Sequence, residues 1–205
     1  VTQFLEDLEI TKGRSDRTIR NYGFYLGRFV DWAAEHGIST PEKITNDDIR
    51  NFRLWLNRLH DPIRKINLKK NTQNYHLIAL RSFLKYLAKR DIKTLAAEKI
   101  ELAKTDMRQV DFVDGSDLNN LLDMPLKGDT PPIIKARDKA VLELLFSTGL
   151  RVSELAALTR DLNIAKDEFT VKGKGGKTRI VFMSNQARHS LIDYLKQRKD
   201  NNPYL

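Results

Sequence analysis

Cysteine is absent from all 205 residues. No disulfide can staple the chain, so stability must come from a buried core, and a reducing, cytoplasmic setting is the expectation. Without thiols, metal ligation would fall to imidazoles and carboxylates. The four histidines (His36, His60, His76 and His189) show no close ligand spacing, so no metal is expected. Long apolar runs are missing too. The longest, around residues 140–146, is interrupted by Glu143, and no membrane partner is expected. The chain opens on Val1 and stops at Leu205. Neither end looks natural, so a section of a longer protein is expected.

Charge is what the chain has in excess. It carries 36 Lys and Arg against 27 Asp and Glu, a net charge of +9. The surplus is uneven: seven of the nine positive charges belong to residues 1–105. Residues 50–93 hold 12 bases and two acids, Asp61 and Asp91. A basic block of this density is either an electrostatic footprint for a polyanion or a solvated helix face.

Helical signals fill the first hundred residues. Ser15 precedes a stripe of Ile19, Tyr22, Leu26, Phe29, Val30 and Ala33 at three- and four-residue steps, closed by His36-Gly37. Thr45 or Asn46 opens a second stripe (Ile49, Phe52, Trp55, Leu56, Leu59) that stops before Pro62. Asn71 or Thr72 opens a third (Tyr75, Ile78, Phe83, Leu84, Leu87), and Thr2–Ile10 supplies a shorter helix. The spacing predicts a helical bundle over 1–104, a linker over 105–112, and a second domain over 113–205. In that second part, Ser116 caps a short helix through Leu122, and residues 133–148 are helical. Residues 169–172 and 178–183 form a β-hairpin around a glycine-rich turn, and a last helix runs over 185–199. The fold class is therefore mainly α with a small β-hairpin.

Two segments carry candidate chemistry. In "FSTGLRVSELAALT", Gly149 can end one helix in the left-handed conformation and Ser153 can cap the next, which leaves Arg151 in the seam. The site suits an anion, with Glu154 three residues on to orient the guanidinium; an ordinary surface arginine in a helix–helix turn is the alternative. In "VKGKGGKTRI", Lys172, Lys174, Lys177 and Arg179 stand together, with no acid from Phe169 through Ile192. Gly176-Lys177-Thr178 matches the end of a P-loop, but Val171 stands where that motif needs its first glycine. A dinucleotide fingerprint starting at Gly173 fails at Thr178. What remains is a flexible tip presenting lysines to a phosphate backbone, or a solvated turn.

"TGLRVSELAAL", followed 23 residues after its arginine by Lys174 in "GKGGKTR", closely resembles the tyrosine recombinase (phage integrase) family, of the Xer type. The segments "SDRTIRNYGFYLGRFVDWA" and "NTQNYHLIALRSFLKYLAKR" resemble its helical, SAM-like core-binding domain. The resemblance covers nearly the whole chain but only the first part of the catalytic domain. It implies a site-specific DNA recombinase or integrase that cuts and rejoins strands through a 3′-phosphotyrosine, with no metal and no nucleotide cofactor. By the same resemblance Arg151 would hold the scissile phosphate, Lys174 would protonate the leaving 5′ oxygen, and Glu154 would support them. The expected DNA-contacting residues are Arg50, Arg53, Lys69, Lys70, Arg81, Lys85, Lys172, Lys177 and Arg179. The implied partner is double-stranded DNA, bound by a tetramer of protomers on two sites.

The family pattern then runs out. None of the histidines has arginine three places on; the residues there are Ser39, Ile63, Ala79 and Ile192. Tyr194 and Tyr204 follow the lysine too soon to be the nucleophile, and "NNPYL" resembles the entry to a further strand. The nucleophile is expected to lie outside this chain, which alone should not cut DNA. A non-catalytic DNA-binding or regulatory protein that keeps the front half of the fold is the alternative function.

Overall fold

The computed structural model describes residues 1–59, 67–105 and 112–205, with Lys174 described for its backbone alone. The chain divides into two compact units, Val1–Gln109 and Val110–Leu205. Most of the expected linker over 105–112 lies outside the described residues, as do Arg64 and Lys65 of the basic block.

The first unit is built from α1 (Thr2–Ile10), α2 (Asp16–Glu35), α3 (Asn46–Arg58) and α4 (Lys70–Ala88). A side chain caps α3, whereas Ser15 stands at the start of α2 with no side-chain hydrogen bond to the helix backbone. Thr45 caps α3: its Oγ1 accepts from the Asp48 N–H at 3.2 Å, and Asp48 accepts the Thr45 N–H at 2.9 Å. α2 ends at His36, after which Gly37 takes φ 74°. α4 begins at Lys70, ahead of the expected Asn71 or Thr72. There the Gln73 side chain donates to Leu68 O at 2.7 Å and to Asn57 Oδ1 at 3.1 Å, contacts that local sequence does not announce. Most of the apolar stripes meet in one core around Phe4, Leu26, Phe52, Leu56 and Leu84, joined by Trp32 and Leu80, whereas Val30 and Tyr75, expected on the stripes, are exposed. The buried Asn74 side chain donates to Ala103 O at 2.9 Å and accepts the Ala103 N–H at 3.0 Å, fastening the end of the unit to α4.

The second unit contains α5 (Gly115–Lys127), α6 (Pro132–Thr148), the one-turn α7 (Val152–Leu155), β1 (Glu168–Lys172), β2 (Thr178–Phe182) and α8 (Asn185–Gln197). The strands form the expected antiparallel hairpin, with Val171 opposite Arg179 and Lys172 opposite Thr178. Two local expectations are corrected. α5 starts after Asp114 rather than at a Ser116 cap, and it runs through Pro125 to Lys127 instead of stopping at Leu122. Its last turns are held from outside the helix, where Asp123 pairs with Lys139 of α6 at 2.7 Å. That lysine is itself buried and also pairs with the buried Glu143 at 2.8 Å.

Leu144, Met183, Ala187 and Leu191 form one apolar cluster, and Leu150, Leu158, Val171 and Val181 form another beneath the hairpin. The final residues run alongside the segment after α7: Thr159 bridges to Tyr204, and the Leu205 N–H donates to Leu158 O at 2.9 Å. No helix among the described residues is long and apolar enough to cross a membrane.

Candidate functional site

Gly149 ends α6 at φ 61° and ψ 28°, the left-handed conformation that costs glycine little. Only Leu150 and Arg151 separate it from α7. The cap of α7 is Arg151 itself, in extended geometry, and not Ser153, which sits inside the turn. The physical reason is Glu154. As the third helical residue it reaches back, and one carboxylate oxygen accepts the Arg151 backbone N–H at 2.9 Å while the other accepts Arg151 Nη1 at 2.8 Å. The Arg151 side chain remains 63% exposed, whereas the Glu154 side chain is 7% exposed. A cation is thus offered to solvent on a buried anionic mount.

The hairpin supplies a second cation to the same carboxylate. Arg179 Nη1 donates to Glu154 Oε1 at 2.9 Å, and Nη2 donates to Oε2 at 2.7 Å. This fork is the first cause that holds the Glu154 carboxyl far below the usual carboxylate range. The Arg151 N–H adds to it, and both outweigh the burial that pushes the other way.

The turn of the hairpin lies against this group. A Cβ on Gly173 would stand 3.3 Å from Arg179 Nη1, 3.3 Å from Glu154 Oε1 and 3.4 Å from Lys177 O. The Gly173 N–H donates to Lys177 O at 2.7 Å, and Gly175 and Gly176 take φ of 75° and 77° to close the turn. Lys174 follows Gly173 directly, so its backbone enters the turn beside the carboxylate that holds Arg151. The Lys174 side chain lies outside the described residues.

Of the residues singled out in sequence, Arg151, Glu154 and Arg179 are therefore brought together, while Lys172 and Lys177 stand exposed on the hairpin. The pairing of Arg179 was missed. In the folded strand Arg179 lies on the same side as the buried Val181 rather than with the exposed Thr178 and Ile180, an inward placement that the apolar run Ile180–Met183 does not signal. In the first unit Arg50, Lys69 and Lys70 are exposed, and Arg53 and Arg81 are partly buried. Arg53 donates to Glu101 O at 2.6 Å, and Lys85 pairs with Glu98 at 3.1 Å. No group of three metal-capable side chains occurs among the described residues.

Two family sequence models match the chain. The one described as "Phage integrase, N-terminal SAM-like domain" covers residues 1–91, and the one described as "Phage integrase family" covers 111–205. The tyrosine recombinase XerD of Chlorobaculum tepidum is 34% identical over 197 residues, which is 95% of this chain and 62% of the relative. The chain thus spans a little over three fifths of that protein. Among solved structures, the Tn1549 transposon integrase in complex with circular intermediate DNA superposes with a TM-score of 0.69 at 16% identity, covering 99% of this chain and 66% of that one. The XerH site-specific recombinase bound to palindromic difH substrate gives 0.68 at 18% identity, covering 98% and 60%. At those identities the structural likeness speaks for the fold.

Proposed function

Because this chain belongs to the phage integrase family of tyrosine recombinases, we propose that it is the DNA-holding and phosphate-activating section of a site-specific DNA recombinase. The observation that carries this is the placement of Gly173. Lacking a side chain, it rests against the carboxylate that mounts Arg151, and so the turn of Lys174 begins beside Arg151. In this reading the exposed Arg151 guanidinium donates to the non-bridging oxygens of the scissile phosphate. It stabilises the extra negative charge of the five-coordinate transition state with a permanently charged, preoriented donor. Lys174 gives its proton to the 5′ oxygen as the P–O bond breaks.

A tyrosine oxygen takes the place of that 5′ oxygen on phosphorus. The phosphotyrosine keeps the ester bond energy, and a 5′ hydroxyl from another strand reverses the step. The attacking tyrosine is not assigned to this chain. Tyr194 packs beside the α6–α8 cluster with the Arg198 guanidinium 5.5 Å from its ring centre, and Tyr204 is engaged in the bridge to Thr159.

Arg50, Arg53, Lys69, Lys70, Arg81, Lys85, Lys172 and Lys177 neutralise backbone phosphates of double-stranded DNA. Exchange between two duplexes requires four strand cleavages, one per protomer, hence a tetramer on two sites. Duplex binding as a function of salt tests the DNA-holding role. We expect log K to fall linearly with log salt, and Lys69→Glu with Lys70→Glu to reduce both the affinity and the slope, the latter by roughly two units. Affinity that ignores both salt and the double charge reversal would leave the basic block a solvated face and sink the proposal.

A further inference from the structure

We propose that Arg179 is a positioning residue and not a DNA contact: through the Glu154 carboxylate it fixes the orientation of Arg151 and clamps the Lys174 turn beside it. This rests on the reading of Arg151 as the phosphate ligand, and it assigns Arg179 a different task from the other hairpin cations.

Lone-pair accounting comes first. A carboxylate offers about four acceptor directions. Glu154 uses four, taking Arg151 Nη1 and Arg179 Nη1 on Oε1, and the Arg151 N–H and Arg179 Nη2 on Oε2. If Arg179 leaves, each oxygen keeps one bond, both from Arg151, and no side chain of the hairpin holds the carboxylate, so it and Arg151 can move together.

The two guanidiniums are also unequally committed. Arg179 spends both terminal nitrogens on Glu154 and its side chain is 37% exposed; Arg151 spends one and is 63% exposed. A phosphate approaching this pair finds free donors mainly on Arg151. One carboxylate between two guanidiniums leaves a single net positive charge, and the geometry assigns it to Arg151.

The third observation is the close approach of Gly173. Its φ of −92° and ψ of −166° are open to any residue, so backbone freedom does not explain the glycine here. Space does. A methyl group would press on Arg179 Nη1 and Glu154 Oε1, and on the Lys177 carbonyl that closes the turn. The turn at Gly173 thus leaves less than a methyl group's room beside the ion pair, and the ion pair sets where the residue after Gly173, Lys174, leaves the strand.

The test uses this chain with Arg179→Gln, Arg179→Lys, Gly173→Ala, and Lys177→Gln as a yardstick for an exposed hairpin cation. Amide hydrogen exchange is read by NMR at Arg151, with Val181 as the control for an intact hairpin, and duplex binding is measured across salt. For Arg179→Gln we expect exchange at Arg151 about tenfold faster or more, as for a lost charge-assisted bond, with Val181 unchanged. The salt slope should fall by less than the roughly one unit expected for Lys177→Gln. Lysine should not rescue the exchange, because an ammonium cannot reproduce the two-pronged contact. Gly173→Ala should speed exchange at Arg151 without touching the slope.

The proposal is overturned if Arg179→Gln lowers the slope as much as Lys177→Gln does while Arg151 exchange stays unchanged, or if lysine restores full protection. Failure of the wild-type chain to bind duplex would strike the DNA-holding role instead, and the exchange readout would still decide the clamp.

Discussion

Arg179 and Glu154, 25 residues apart in sequence, meet through two parallel hydrogen bonds of 2.9 and 2.7 Å. Together with the Arg151 N–H they hold the Glu154 carboxyl far below the usual carboxylate range. The folded state therefore binds fewer protons here than the unfolded state. The stabilisation is complete above the ordinary carboxylate pKa, about 4.3, and is lost as pH falls from there through the lowered folded value. Protection of the Arg151 amide should stay flat between about pH 5 and 8 once intrinsic exchange is divided out, and should decline only in stronger acid. Glu154→Gln should remove that acid dependence.

His76 provides an opposite kind of group, a base buried in the first unit. Arg28 Nη1 lies 3.5 Å from its Nε2. A guanidinium only donates, so Nε2 is the acceptor and Nδ1–H donates to Thr72 O at 2.9 Å. Burial first, and then the Arg28 charge, push the imidazole pKa down against the Thr72 bond that favours the cation. The unfolded state thus binds the extra proton. Stability should be independent of this group above about pH 6.5 and should fall as pH drops below it. Thermal unfolding followed at several pH values should show this decline, and His76→Gln should flatten it.

Lys139 anchors α6 to α5 through Glu143 at 2.8 Å and Asp123 at 2.7 Å. The Glu143 side chain is only 5% exposed, so deleting its partner strands a carboxylate in a poorly hydrated place. Lys139→Met should lower unfolding free energy by about 3–5 kcal/mol in urea titrations. The double change Lys139→Met with Glu143→Leu should recover most of that loss, because the desolvation cost disappears with the charge. A double variant no more stable than the single one would contradict this account.

The roles proposed for Arg151 and Lys174 separate chemically. In a chimera that completes this chain with the part of the Chlorobaculum tepidum relative it does not span, Arg151→Ala should slow cleavage by about 10²–10³. Lys174→Ala should slow it by about 10²–10⁴. A substrate with sulfur at the bridging 5′ position has a leaving group that needs little protonation. It should restore cleavage by Lys174→Ala far more than by Arg151→Ala; equal restoration would remove Lys174 from the proton-donor role.

The amino-acid sequence by itself determined the elements and most of their ends, because those are written among near neighbours. The Leu26–Phe29–Ala33 and Phe52–Leu56 stripes fix which helix faces are buried, although Val30 of the same stripe is exposed and Trp32 is buried in its stead. The Thr45 and Asp48 capping box, the left-handed Gly149 and the glycines of the hairpin turn set where elements begin and stop. The family resemblance was equally legible, since "TGLRVSELAAL" and "GKGGKTR" are continuous segments. Only the tertiary structure decided what depends on residues distant in the chain. α5 continues through Pro125, with its Asp123 held by Lys139 sixteen positions on. Arg179 shares the Glu154 carboxylate with Arg151 because β2 turns it toward that residue. No local pattern contains that pairing. It exists because the hairpin folds Gly173 close enough to the α6–α7 seam for one carboxylate to serve two arginines, and a carboxylate with four acceptor directions can satisfy both.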